Sequence, residues 1–118
     1  MRAYELMIIF DGDLEEEAVT ASLSKAVATI EAEGGRVVNK FDSEPWGRRR
    51  FAYRINNKWE GVYVVLEVVT EANDLDTIDR NLRLADRSEV VRHKILRLPD
   101  SEVDRRGLLG DGEPVTAG

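Results

Sequence analysis

A chain of 118 residues, 42% apolar and 34% charged, is long enough for one domain with a core and too short for two. It has no cysteine and one histidine, His93, which excludes disulfides, thiolate metal sites, thiol nucleophiles and every ligand set that needs two histidines. The net charge of −6 argues against indiscriminate binding to polyanions, yet the signs segregate: residues 36–58 hold seven basic and two acidic side chains, residues 87–98 four and one, and residues 1–35 two and eight.

Residues 3–10 alternate, with Tyr4, Leu6, Ile8 and Phe10 on one face and Met7 and Ile9 on the other, which predicts a central strand covered on both sides for part of its length. No apolar run approaches the roughly 20 residues that span a bilayer, and the expectation is a soluble, cytoplasmic protein. Asp11-Gly12-Asp13 ends the strand with turn or helix-cap chemistry. From Leu14 to about Glu33 the spacing is helical, with Leu14, Val19, Leu23, Ala26, Val27 and Ile30 near one face. Glu15, Glu16 and Glu17 fall in the first turn, where the helix dipole favours acids; a solvated turn explains them better than a metal or acid/base cluster.

Gly34-Gly35 stops the helix, and Arg36 to Phe41 reads as a second strand. A turn-rich connection leads to a third strand from about Arg50, which is interrupted at Asn56-Asn57-Lys58 and resumes from Gly61 to Thr70. This last run is the most β-branched in the chain and predicts a second central strand. Asn73 or Asp74 can cap a second helix reaching about Ala85, with Leu75, Ile78 and Leu82 inward and Asp76, Asp79, Arg80 and Arg83 outward. Val90 to Leu98 makes the last strand. Residues 1–98 thus form the domain, and 99–118, rich in glycine and scattered charge, a flexible tail; Leu108, Leu109 and Val115 are what a docking segment there would use.

The order strand, helix, strand, strand, helix, strand is the ferredoxin-like βαββαβ arrangement, an α+β fold with a four-stranded antiparallel sheet and two helices on one face. The fold hosts enzymes, small-molecule sensors and RNA binders, so function must come from the site.

The stretch Trp46-Gly47-Arg48-Arg49-Arg50-Phe51-Ala52-Tyr53-Arg54-Ile55 puts guanidinium forks beside flat rings, the chemistry of phosphate and base contacts. The plainer reading is an edge hairpin with a solvated basic turn, its alternating Phe51, Tyr53 and Ile55 facing the core. An enzyme has little support: His93 reads as a surface residue of a basic strand, no phosphate-cradling glycine loop is present, and Asp11-Gly12-Asp13 would repel an anion after the first strand. A ligand-sensing regulatory domain remains the alternative, although no polar pocket can be discerned. The long strand lacks the basic-Gly-aromatic signature of an RNA-recognition motif, so RNA would be bound through loops, edges and basic side chains.

The Tyr4-Glu5 start, the Gly34-Gly35 stop, the Trp46 to Ile55 stretch, Gly61-Val62-Tyr63 and Val90-Val91-Arg92, in order over residues 2–98, resemble the bacterial ribosomal protein bS6 family. Phe51 stands where the family usually has leucine, and Arg54 where proline is common. The resemblance implies a non-catalytic component of the small ribosomal subunit, with no cofactor or metal. It further implies pairing with ribosomal protein bS18, joint binding to small-subunit ribosomal RNA, and a C-terminal tail against that partner. The residues expected at the RNA or partner interface are Arg48, Arg49, Arg50 and Arg54, with Arg2 and Tyr4 at a neighbouring strand end and Arg87, Arg92 and Lys94 as a second basic patch.

Overall fold

The computed structural model describes residues 2–43, 46–55, 58–71, 75–86 and 88–108, with backbone alone at 52 and 53. In chain order these form β1 (Arg2–Asp11), α1 (Glu16–Ala32), β2 (Gly35–Phe41), β3 (Gly47–Ile55), β4 (Lys58–Thr70), α2 (Asp76–Leu84), β5 (Val90–Arg97) and α3 (Asp100–Arg106). The sheet is antiparallel in the order β2-β4-β1-β5, with β3 also on β4. The expected ferredoxin-like fold is present, and the two most apolar strands, β1 and β4, hold its centre.

The interrupted third strand is instead two. Ile55 pairs with Lys58, so the chain reverses between them and β3 runs back along β4. β2 lies on the Val65 to Thr70 part of β4 and β3 on the Lys58 to Tyr63 part, so five strands occupy four lanes. Two asparagines beside a lysine are turn residues as well as strand breakers, which is why the interruption marks a reversal.

The period-two alternation of β1 sends Tyr4, Leu6, Ile8 and Phe10 to one face, where Val64, Leu66 and Val68 of β4 meet Val19, Leu23, Ala26 and Ile30 of α1 and Ile78 and Leu82 of α2. Helix α1 ends as expected, with Gly34 in the left-handed region at φ 89°. At its other end Asp11 accepts the Asp13 N–H at 2.8 Å, so this segment is an Asx turn, and α1 begins at Glu16 without a side-chain cap. The expected cap at Asn73 or Asp74 lies outside the described residues.

The opposite face of the sheet is covered twice. At one end α3 packs Val103, and Leu108 just beyond it, on Ala3, Val38, Val69 and Leu98. At the other, Phe51 of β3 lies on Ile9 and Val91, flanked by Met7, Ile55 and Tyr63. Phe51 can cross β4 there because residue 61 is glycine: a Cβ would sit 2.7 Å from Phe51 Cζ.

The segment assigned to the tail therefore begins with a packed helix. Beyond its apolar contacts, α3 is tied down through charge. Glu5 and Glu67 are directly paired across β1 and β4, and Glu67 is 5% exposed as a side chain. Arg106 donates to Glu67 Oε2 at 2.6 Å and to Glu5 at 3.4 Å, while Asn39 donates to Glu67 Oε1 at 2.8 Å. Two adjacent carboxylates inside an apolar sheet require a cation, and Arg106 is the one supplied. Leu109 and Val115, the other apolar residues of the tail, lie outside the described residues.

Candidate nucleic-acid interface

Three consecutive arginines in an extended strand cannot point one way. Arg48 pairs with Val62 and Arg50 with Glu60, on the helix-covered side, whereas Arg49 pairs with Gly61, on the opposite side. Arg48 donates to the Gly12 carbonyl at 2.7 Å and lies 3.5 Å from Glu60. Arg50 and Arg54 are held over the ring of Trp59, their guanidinium carbons 5.2 and 5.9 Å from its centroid. Among the described residues neither has a carboxylate partner. Trp46 stacks on Tyr63 at 6.3 Å, and Tyr63 meets Phe51 edge-on at 6.3 Å, so a run of rings anchors the base of the hairpin.

The second basic patch is partly joined to the first. Arg92 and Lys94 pair with Ile9 and Met7, which puts both, exposed, on the same sheet face as Arg49. Three inter-strand spacings, roughly 14 Å, separate them from β3. Arg87 lies outside the described residues.

Two expected contacts are not at this site. Tyr4 is 5% exposed and belongs to the core, because it shares the alternation of Leu6 and Ile8. Arg2 pairs with Thr70, nine residues along β4 from the Gly61 position opposite Arg49, or roughly 30 Å at about 3.3 Å per residue.

His93 is also placed differently from expectation. It faces α2, its side chain 14% exposed, and its Nε2 donates to Asp79 Oδ1 at 2.7 Å. Asp79, expected outward, turns to β5 and also accepts from Arg83 at 3.0 Å. The His93 hydrogen bond, helped by the Arg83 charge, holds the Asp79 carboxyl below the usual range. The pair ties α2 to β5. Among the described residues no three His, Cys, Asp or Glu side chains cluster to hold a metal ion, and no helix is long and apolar enough to cross a membrane.

A recess of about 770 Å3 forms an open groove between α1 and the β2/β3 lane, floored by Val19, Leu23, Val27, Val62 and Val64 with Arg48 at its rim. Of the residues that matter here, sequence reasoning passed over Trp59, Glu67 and Arg106. The signals existed: Glu5 and Glu67 each interrupt an apolar run, and Trp59 follows the Asn-Asn-Lys break.

These features define a class, a ferredoxin-like module with a cationic, aromatic hairpin on an otherwise acidic molecule. Comparison with known proteins narrows it. The family described as Ribosomal protein S6 matches residues 3–97. The chain is 45% identical over 97 residues to small ribosomal subunit protein bS6 of Corynebacterium aurimucosum, which spans 82% of this chain and 96% of that one. It is 41% identical over 101 residues to the bS6 protein of Acidothermus cellulolyticus, spanning 86% and 99%. The crystal structure of ribosomal protein S6 from Thermotoga maritima superposes with a TM-score of 0.77 at 26% identity, over 91% of this chain and 96% of that chain. The chain belongs to the ribosomal protein S6 family of the small ribosomal subunit. It is thus a ribosomal component, not an enzyme, and its place is the ribosome in the cytoplasm.

Proposed function

We propose that the chain binds small-subunit ribosomal RNA jointly with ribosomal protein bS18, through the β3/β4 hairpin and the Arg49, Arg92 and Lys94 face. The observation that carries this is Arg50 and Arg54, two guanidiniums presented on one hairpin without a carboxylate among the described residues to neutralise them. Phosphate is the ligand that such forks fit best. Charge supports joint binding. The chain is acidic as a whole, at −6, and Glu16 and Glu31 of α1 have no ion-pair partner among the described residues, so a basic protein would offset the excess that opposes RNA. The residues beyond Leu108 are assigned to contact with that protein partner.

Co-purification of the tagged chain from cells tests this reading. Ribosomal RNA and bS18 should accompany the chain at low salt, with the RNA lost progressively as salt rises. Recovery of the chain with a bound metabolite and no RNA would favour the ligand-sensing alternative.

A further inference from the structure

Trp59 stands apart from the other rings of the hairpin. It is 46% exposed, and the other exposed large apolar residues among those described, Leu84 and Leu96, offer no π face. β1 pairs with β4 only as far as Gly61, so residues 58–60 belong to a two-stranded ribbon that extends past the central strand. The indole is therefore on a projecting edge, beside two guanidiniums that form no ion pair among the described residues.

A recess of about 220 Å3 opens beside it, lined by Gly12, Asp13, Arg50, Lys58, Trp59 and Glu60. Its two acids are engaged on one side only, Asp13 by Lys58 and Glu60 by Arg48. They would repel a phosphate entering the recess, yet both can accept N–H groups from the edge of a base. Phosphate is thus directed to the outer guanidiniums and a planar, hydrogen-bonding group to the recess.

Resting on the RNA-binding function above, we propose that Trp59, with Arg50 and Arg54, is a stacking seat for one unpaired nucleobase of the RNA, the guanidiniums taking the phosphates that flank it. Unpaired bases in loops and bulges are what proteins stack on aromatic rings and arginine planes. With Asp13 paired to Lys58 and Glu60 to Arg48, Arg50 and Arg54 leave an excess of positive charge here that a basic protein would oppose, so the protein partner belongs elsewhere on the molecule. An acidic polypeptide is the competing occupant.

The test uses the full chain carrying Trp46→Phe, so that Trp59 is the sole tryptophan, assembled with bS18 on a fragment of small-subunit ribosomal RNA. RNA should quench the Trp59 emission, and polyglutamate at the same charge concentration should not. Trp59→Ala should weaken RNA binding roughly 5- to 150-fold, the range for losing one stacked base, while Trp59→Phe keeps most of the affinity. The loss should be the same at every salt concentration, because stacking releases no counterions, whereas Arg50→Gln and Arg54→Gln should each flatten the salt dependence. RNA binding that is undiminished by Trp59→Ala, with Trp59 emission in the Trp46→Phe chain unquenched by RNA, would overturn the stacking seat and leave RNA binding standing. Quenching by polyglutamate would overturn it in favour of an acidic partner. Absence of RNA binding by the unsubstituted chain with bS18 would overturn the function on which the seat rests.

Discussion

Arg106 shows how one residue decides whether a region is tail or domain. Its guanidinium sits against Glu67, Glu5 and Glu102, and the hydrogen bond to Glu67 holds it firmly in the charged form. Removing it leaves a buried carboxylate without its cation, the costly half of a broken pair. Arg106→Leu should destabilise the fold by about 3 kcal/mol in urea titration, and Glu67→Gln in the same chain should recover much of that loss. The Asp79 pair with His93 makes a smaller, pH-dependent contribution. Its folded carboxyl is depressed from 3.8, so the stabilisation is fully present above that value and is lost as pH falls through the lower folded one. Asp79→Asn should therefore remove that modest contribution in full at neutral pH and flatten the decline in stability as pH falls below 3.8.

At the scale of elements, what could be read in the sequence was what periodicity controls. β1, α1, α2 and β5 came out close to their observed bounds, because each buries one face and alternation or helical spacing records which face. The β3/β4 reversal was not legible, since Asn56-Asn57-Lys58 breaks a strand equally well whether the chain resumes or turns back. Helix α3 was hidden by its glycine-rich, charged surroundings, and the one apolar residue buried within its span is Val103. Its stability comes from the sheet: from Ala3, Val38 and Val69 beneath it, and from two acids whose facing register only strand pairing reveals. Truncation after Pro99 should accordingly lower unfolding stability by about 3 kcal/mol or more, measured by urea titration, through re-exposed apolar surface and the unpaired Glu67. A freely moving tail would leave it unchanged.

At the scale of the whole molecule the candidate site was half legible. The arginine run was visible as composition, but its division between two faces needs the strand register, and the core position of Tyr4 needs the helices that cover it. The fold separates part of what the chain interleaves: α1 brings acids to one side, while Arg49 of β3 and Arg92 and Lys94 of β5 bring positive charge to the other. Such a molecule has one side suited to a basic protein and one to a polyanion, which suits the joint binding with bS18 to RNA that we propose. Salt-dependent binding of the chain with bS18 to a small-subunit ribosomal RNA fragment, compared with the triple variant Arg48→Ala, Arg49→Ala, Arg50→Ala, tests this most directly. The triple variant should stay folded, bind more weakly, and show a log–log salt slope shallower by about 2 to 3. A variant that binds with the affinity and slope of the parent would remove the arginine run from the RNA interface.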